Sequence, residues 1–150
     1  MNALLTFALI LSFWVTIPVP QSAQRTNDLM DMLHGQHEPY AEFFGQIKDA
    51  FASNDPERIA SLIEYPFRRY RQGEVLDIIE SSDEFVRKFA EIVTPRVFEA
   101  VAAQEYEKLF VNYKGVMFGH GAVWYSGIYG EDCKTDCDLL RVRVIAINGG

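Results

Sequence analysis

The sequence predicts an α+β fold in which N-terminal helices pack on a curved antiparallel sheet. Apolar residues follow helical spacing over parts of residues 38–63 and 81–103, a hairpin is expected between these two stretches, and strand-like runs fill residues 106–147. Helices and strands thus fall largely into separate stretches of the chain, which indicates an α+β fold. Glycines recur through the strand-rich block at positions 115, 119, 121, 127 and 130. Glycines within strands mark bulges and bends, which favours a curved sheet.

The first 24 residues carry no charged side chain, whereas the rest of the 150-residue chain carries the whole formal charge of −7. Residues 3–17 form an apolar core of about 15 residues, which suits a signal peptide and is short for a membrane span. Pro18 and Pro20 then break any helix. We predict a signal peptide over residues 1–23, cleaved at Ala23 or Ser22, and a periplasmic or secreted location. An uncleaved N-terminal anchor and a buried core helix are the alternatives.

The predicted mature chain begins with a polar stretch and continues as one domain. Residues 24–37 lack a clear period, which predicts a linker or a loosely packed arm, and residues 38–150 are predicted to form a single domain. From Glu38, apolar residues recur at three- and four-residue steps, which predicts a helix with one buried face. Asp55 and Pro56 are residue types that cap and begin a second, shorter helix.

Strand signals follow that second helix. The runs 65–71 and 74–80 flank Gln72-Gly73, which predicts a β-hairpin. Ser81 and Glu84 have capping-box spacing, so helical structure is expected from there to residue 103. The run 139–147 alternates apolar and charged residues, as a half-buried strand does.

Composition and motifs exclude several functional classes. A net charge of −7 argues against a nucleic-acid partner, because phosphate contacts need clustered Lys and Arg. The 49% apolar and 13% aromatic content argues against intrinsic disorder. Nucleophile elbows, phosphate-binding loops and dinucleotide fingerprints are missing from the sequence, so we predict no cofactor.

The two cysteines, Cys133 and Cys137, fit an oxidising compartment, and we predict a structural disulfide between them. A redox pair usually has two intervening residues, whereas three stand here. A zinc site needs about four ligands, and His34, His37 and His120 have no matching spacing. We therefore predict no metal site.

Three segments carry a resemblance to a known superfamily: ASNDPE at 52–57, EYPF at 64–67 and LFVNYKGVMFGHGAVW at 109–124. Together with the order of elements, they resemble the nuclear transport factor 2-like superfamily and, within it, a group of small exported bacterial proteins. The likeness covers about residues 40–148. It implies a cone in which helices close one end of a pocket on a curved sheet. The fold hosts enzymes, binding modules and assembly domains, so it implies no single function. The acid and tyrosine set of isomerases with this fold does not map onto these residues.

Two residues are weak candidates for catalysis. His120 stands between glycines, which leave room for a ligand beside an imidazole that could act as a base. Asp77 is the acid inside a strand-like run, and in a pocket its pKa would be raised enough to abstract a proton. Each also has a plain structural interpretation, as a turn residue and as a residue on a solvent-facing strand surface.

Binding candidates fall into two groups. Arg68, Arg69 and Arg71 form a short basic run that could hold an anion or a partner, or could simply be solvated charges on an edge strand. A partner site there would need an exposed apolar patch beside the arginines. Aromatic residues could line a ligand pocket or belong to the core, namely Tyr65, Phe67, Phe118, Trp124 and Tyr125.

The sequence thus favours an exported, non-catalytic module that binds a small molecule or an envelope protein. The alternatives are a small isomerase- or lyase-type enzyme using Asp77 or His120, and an inhibitor or immunity-type protein. A membrane contact is expected only through the N-terminal segment before cleavage, and the sheet offers a surface for a homodimer.

Overall fold

The computed structural model describes residues 21–71, 73–129 and 140–149. Helices and strands form separate blocks, which confirms the predicted α+β class. In chain order, the helices and strands are α1 (Gln21–His34), α2 (Glu38–Ser53), α3 (Pro56–Ala60), β1 (Phe67–Arg71), β2 (Glu74–Ile79), α4 (Ser82–Arg87), α5 (Phe89–Ile92), α6 (Pro95–Ala103), a 3₁₀ turn (Tyr106–Lys108), β3 (Phe110–Asn112), β4 (Gly115–Phe118), β5 (Val123–Ile128) and β6 (Arg141–Ile147).

Helix α2 has the predicted buried face, formed by Tyr40, Phe43, Ile47 and Phe51. It ends at Asn54, whose left-handed backbone (φ +50°) stops the helix. Asp55 then caps α3 by accepting a hydrogen bond from the Arg58 N–H at 3.1 Å, and Pro56 occupies the first helical position. The predicted junction between the two helices is confirmed.

Helix α1 corrects the interpretation of residues 24–37 as a linker or loosely packed arm. Met30 is fully buried, and Thr26 is 3% exposed. The Tyr106 hydroxyl donates to Asn27 Oδ1 at 2.7 Å, so α1 packs on the 3₁₀ turn. Met30 is the fully buried apolar residue of α1 and hydrogen bonds supply further contacts, so α1 lacks a broad apolar stripe for the sequence pattern to reveal.

Two predicted features of the chain lie outside the described residues. The apolar segment 3–17 falls within residues 1–20, and Cys133 and Cys137 fall within residues 130–139. The signal peptide and the disulfide therefore stay predictions. Within the described ranges, no helix has both the length and the apolar character that crossing a bilayer requires.

The strands form two antiparallel sheets. β1 and β2 make the predicted hairpin, and the second sheet has the strand order β3-β4-β5-β6. β1 lies alongside β6, and the segment before it joins the edge of β6 directly. There the Glu64 N–H donates to Val144 O at 3.0 Å and the Val144 N–H donates to Leu62 O at 2.9 Å.

The four-stranded sheet buries one face against the helices. Its inward positions are filled by Val116, Phe118, Val123, Tyr125 and Val144, which belong to one core with the apolar faces of α2 and α6. On β6, Val142 and Val144 are buried while Arg141 is exposed, so the predicted half-buried strand is confirmed. The side chains on this face are buried in the core, and the largest described opening beside them lies at its rim.

Candidate functional site

Asp77 lies on β2 among charged side chains that hold it in its ionised form. Lys88 Nζ donates to Asp77 Oδ2 at 2.9 Å, and the Ile78 N–H donates to Oδ1 at 2.8 Å. The hydrogen bond from Lys88 is the main cause that lowers the pKa of Asp77 below its ordinary value. A carboxylate base needs the opposite shift. This environment favours a structural ion pair at Asp77.

The surrounding charges form a group that we name the Asp77 network: Arg69, Asp77, Glu84, Lys88 and Glu91. Lys88 Nζ also donates to Glu84 Oε1 at 2.9 Å, and Arg69 Nη2 donates to the Glu91 carbonyl at 2.9 Å. The hydrogen bond between Lys88 and Glu84 is the main cause that raises the pKa of Lys88 and lowers that of Glu84. Charges within the network face opposite charges, so it joins β2 to α4 and α5 and leaves little for a ligand to bind.

The structure places Arg68 and Arg69, two of the three arginines predicted to form one anion or partner surface, in different surroundings. Arg69 belongs to the Asp77 network, and its side chain is only 13% exposed. Arg68 is exposed opposite Ile78 in the hairpin register. Arg71 ends β1, and its side chain lies outside the described part of the chain. Apolar side chains are exposed beside Arg68, and with it they form what we name the hairpin surface: Arg68, Tyr70, Val75, Leu76 and Ile78.

The five aromatic residues predicted to bind a ligand do not line one pocket. Phe67, Phe118 and Tyr125 are 1% exposed or less and belong to the core. Tyr65 donates its hydroxyl to the Ala60 carbonyl at 3.1 Å, and burial raises its pKa to about 12. Trp124 lies on the outer face of the sheet with its ring centroid 6.3 Å from that of Phe110. These positions favour the core interpretation for three of the five residues.

A cavity of about 560 Å³ opens between α6, the 3₁₀ turn, the loop between β4 and β5, and the end of β6. Its volume is within the range of small-molecule sites. We name it the α6 pocket, and it includes one of the two catalytic candidates, His120. Its walls are formed by Arg96, Ala100, Ala103, Gln104, Glu105, Lys108, Gly119, His120, Ala122 and Asn148.

Small residues let the β4–β5 loop pack close to α6 at the edge of the α6 pocket. Gly119 has φ +58°, and a Cβ there would lie 3.1 Å from the Cβ of Ala100. The Gly119 N–H donates to Gln104 Oε1 at 2.7 Å, which fixes the loop to the end of the helix. His120 therefore projects from a loop whose position is set by glycine and alanine contacts.

The end of β6 closes the other side of the α6 pocket through Asn148. The Asn148 N–H donates to Ala122 O at 2.9 Å, and Asn148 Nδ2 donates to Gly121 O at 2.7 Å. Asn148 Oδ1 is buried and has no hydrogen-bond partner among the described residues. A buried acceptor without a partner costs free energy unless a water or a ligand pairs with it.

Charged side chains in the α6 pocket differ in how far they are already paired. Lys108 Nζ lies 2.8 Å from Glu105 Oε2, and this hydrogen bond raises the pKa of Lys108. Arg96 and His120 are exposed, and neither makes a hydrogen bond or ion pair with any residue in the described ranges. With respect to the described residues, a guanidinium and an imidazole are therefore available to bind a molecule in the pocket.

Lys48 on α2 fixes the pocket wall from behind. Its Nζ donates to the carbonyls of Val101, Ala102 and Gln104 at 2.9, 2.6 and 3.1 Å. These are acceptors at the C-terminal end of α6, where a helix leaves carbonyls unpaired and favours a cation. The ammonium thus orders the segment that carries Ala103 and Glu105.

Sequence reasoning identified His120 in this site and missed Arg96, Gln104, Lys48 and Asn148. The glycines around His120 were the usable signal, because they predicted backbone room beside the imidazole. The other four residues lie on α2, on or just after α6, and just after β6, and no short spacing links them. Only the tertiary fold brings Arg96, Gln104 and Asn148 to one cavity and places Lys48 behind its wall.

A group of potential metal ligands lies where α1 meets α2. Single ligand atoms of Asp31, His37 and Glu38 all lie within 4.8 Å of one another, although the sequence predicted no metal site. His37 Nδ1 lies 2.9 Å from Asp31 Oδ1, and the carboxylates are exposed. A hydrogen bond across the helix junction accounts for this arrangement.

Comparison of the chain with protein-family models, with curated proteins and with solved structures gives no match.

Proposed function

We propose that the protein is an exported, non-catalytic module that binds a small molecule in the α6 pocket. One observation carries this proposal: the pocket of about 560 Å³ contains Arg96 and His120 without partners among the described residues. In the Asp77 network, by contrast, the charges are paired with one another. Unpaired polar groups around a cavity with several apolar walls are what small-molecule sites provide.

Binding without catalysis is favoured by how the two catalytic candidates are placed. Asp77 is held by Lys88 and is not among the residues of the α6 pocket. His120 has no hydrogen bond from a described residue that would orient its ring. A general base is normally oriented by a second group, so an exposed and unoriented imidazole fits ligand contact better than proton abstraction.

The decisive experiment fills the α6 pocket and measures what the protein retains. Ala103→Phe places a ring in the pocket, whereas Ala102→Phe places the same ring at the neighbouring exposed position, which lines a separate groove against α2. Each purified protein is incubated with a metabolite extract and separated from free compounds, and the bound compounds are identified by mass spectrometry. We expect Ala103→Phe to retain at least tenfold less of the compounds that wild type and Ala102→Phe retain. Equal retention by both variants, or none by wild type, would refute the proposal.

Export and the nuclear transport factor 2-like cone are parts of the same proposal. The uncharged N-terminal segment supports export, which predicts an exported protein whose intact mass begins near Gln24 and lacks two hydrogens at the cysteines. Residual Met1 in exported material would refute cleavage, and free-thiol labelling would refute the disulfide. The order of elements and the position of β1 beside β6 support the cone, which superposition of an experimental structure on the superfamily tests.

The hairpin surface favours a second candidate function, recognition of an envelope protein. Val75, Leu76 and Ile78 are 52%, 48% and 43% exposed, and Arg68 lies beside them. This pattern suits a partner that presents a carboxylate next to an apolar contact. A photo-crosslinker at Ile78 should give one adduct that Arg68→Glu abolishes, whereas the same group at Tyr113, which is 77% exposed, should not. An adduct with the mass of two chains would instead indicate a homodimer.

A further inference from the structure

The charge of the α6 pocket differs from that of the chain around it. The whole chain has a formal net charge of −7, whereas the pocket residues comprise two permanent cations, one carboxylate and a histidine. Glu105 and Lys108 neutralise each other at 2.8 Å. The charge left over is that of Arg96, with His120 as a further donor. A pocket whose guanidinium has no opposite charge paired with it among the described residues attracts an anion.

We infer that the ligand of the α6 pocket is a small carboxylic acid with an apolar body, bound as its carboxylate by Arg96. This inference rests on the proposed function, because it names the class of molecule that the same pocket binds. Arg96 lies in the first turn of α6 and His120 lies on the loop between β4 and β5. A guanidinium presents two parallel N–H groups that match the two oxygens of a carboxylate.

The other walls of the pocket suit the apolar body of such an acid. Ala100, Ala103 and Ala122 contribute methyl groups, and Gly119 contributes bare backbone. The Gln104 amide is not available to bind a polar ligand body, because both of its polar atoms are already paired. Its Oε1 accepts from the Gly119 N–H at 2.7 Å, and its Nε2 donates to the Glu105 carbonyl at 2.9 Å. Besides the acceptor Asn148 Oδ1, the pocket thus offers a cationic part and an apolar part.

A carboxylate fits this pocket better than a phosphate. Phosphate sites rely on several backbone N–H groups that converge on the anion. Here the Gly119 N–H is taken by Gln104 and the Ala122 N–H is taken by the Phe118 carbonyl at 3.1 Å. One planar guanidinium fork with an imidazole suits a planar carboxylate, which needs fewer donors.

The inference is tested by titrating the purified protein with straight-chain monocarboxylates from acetate to decanoate at neutral pH by calorimetry. The amide and the amine of the same chain lengths, and inorganic phosphate, are the comparison probes. At least one acid should bind ten times more tightly than its amide. Arg96→Gln should remove that preference, since the charge-assisted pair is worth about one factor of ten or more.

Arg58→Gln is the matched control, because Arg58 is an exposed arginine of α3 and is not a pocket residue. It should leave the affinities unchanged, and Arg96→Lys should keep part of the preference. An amide that binds as tightly as its acid, an acid preference that survives Arg96→Gln, tighter binding of phosphate, or no binding by any acid would each overturn the inference.

The outcome also separates this inference from the proposed function. If the extract experiment yields neutral or cationic compounds that Ala103→Phe abolishes, the α6 pocket binds ligands but the carboxylate assignment fails. If the extract experiment yields nothing that depends on Ala103, the proposed function fails with it.

Discussion

The Asp77 network and the α6 pocket each bring together charged side chains from separate elements, but they differ in how those charges are paired. In the network, Lys88 reaches Asp77 and Glu84 at 2.9 Å each. In the pocket, Arg96 and His120 have no partner among the described residues. Clustering alone therefore says little about function. What distinguishes a binding site from a structural one is whether its polar groups remain unpaired.

The same difference separates the two catalytic candidates. In the sequence, both Asp77 and His120 were candidates because of the residues next to them in the chain: a strand-like run around Asp77 and glycines around His120. Asp77 is held by Lys88, eleven residues along the chain, whereas His120 faces a cavity formed by α6 and the end of β6. The contacts that decide between them are tertiary, so local sequence favoured neither.

The contrast between the α6 pocket and the Asp77 network would be wrong if the ligand bound in the core beneath the pocket and not at the pocket wall. Phe118→Ala tests the core. Phe118 is fully buried, and its ring is stacked on that of Phe44 at 5.2 Å and tilted against that of Tyr125 at 5.8 Å. Removing the ring leaves a cavity, so we expect the free energy of unfolding to fall by about 3–5 kcal/mol in urea denaturation.

Phe118→Leu keeps most of that volume and should cost less than about 1.5 kcal/mol. The folded Phe118→Leu protein should retain the compounds that wild type retains. A well-folded variant that has lost them would move the binding site from the α6 pocket into the core.

The next largest effect concerns the cation that orders the pocket wall. Lys48→Met removes the donor to the carbonyls of Val101, Ala102 and Gln104. We expect a loss of about 1–2 kcal/mol in the free energy of unfolding and weaker ligand retention, because the end of α6 loosens. Lys114→Met, at an exposed turn position, should change stability by less than about 0.5 kcal/mol. Equal effects from the two substitutions would show that Lys48 has no special role.

Much of the fold could be predicted because short segments of the sequence determine it. The apolar face of α2, the Asp55 cap of α3 and the alternation of β6 each lie within one short segment. Helix α1 could not be predicted, since it is held by hydrogen bonds such as Thr26 Oγ1 to the Glu107 carbonyl, 81 residues away. Patterns of apolar residues carry no record of such polar contacts.

The candidate site was predictable only at one residue. The glycines beside His120 indicated an open backbone, and the structure places that loop in the α6 pocket. Arg96 could not be predicted as a site residue, because in the sequence one exposed arginine on a helix does not differ from any other solvated charge. Phe67, Phe118 and Tyr125 were predicted to bind a ligand but lie in the core. Aromatic residues on a strand show the same alternating pattern whether they fill a core or line a pocket, so the sequence does not separate the two.

The pH dependence of stability sharpens the structural role of the Asp77 network. Asp77 and Glu84 have pKa values lowered by Lys88 from ordinary values of 3.8 and 4.5, so their pairing stabilises the fold above those values. That contribution disappears as pH falls further and the carboxylates take up protons. The pKa of Lys88 is raised above 10.5, so its contribution is present below that pH and is lost above it.

Lys88→Gln removes the cation common to both pairs. The stability difference between wild type and Lys88→Gln should be largest between about pH 5 and pH 9 and should shrink at both extremes. Urea denaturation across this range measures it, with Lys114→Gln as the control. A difference that stays constant down to pH 2 would show that the network contributes through packing and not through charge.

The smallest expected effect on stability is the most informative one, because the same substitution can be made in both regions. Arg96→Gln should change the free energy of unfolding by less than about 0.5 kcal/mol, since Arg96 is exposed and unpaired among the described residues. Arg69→Gln should cost more, because the Arg69 side chain is 13% exposed and donates to the Glu91 carbonyl at 2.9 Å. Binding should show the reverse order, with carboxylate affinity lost in Arg96→Gln and kept in Arg69→Gln. If Arg96→Gln proved the more destabilising of the two, Arg96 would be part of the scaffold, and the unpaired state that distinguishes the α6 pocket from the Asp77 network would lose its meaning.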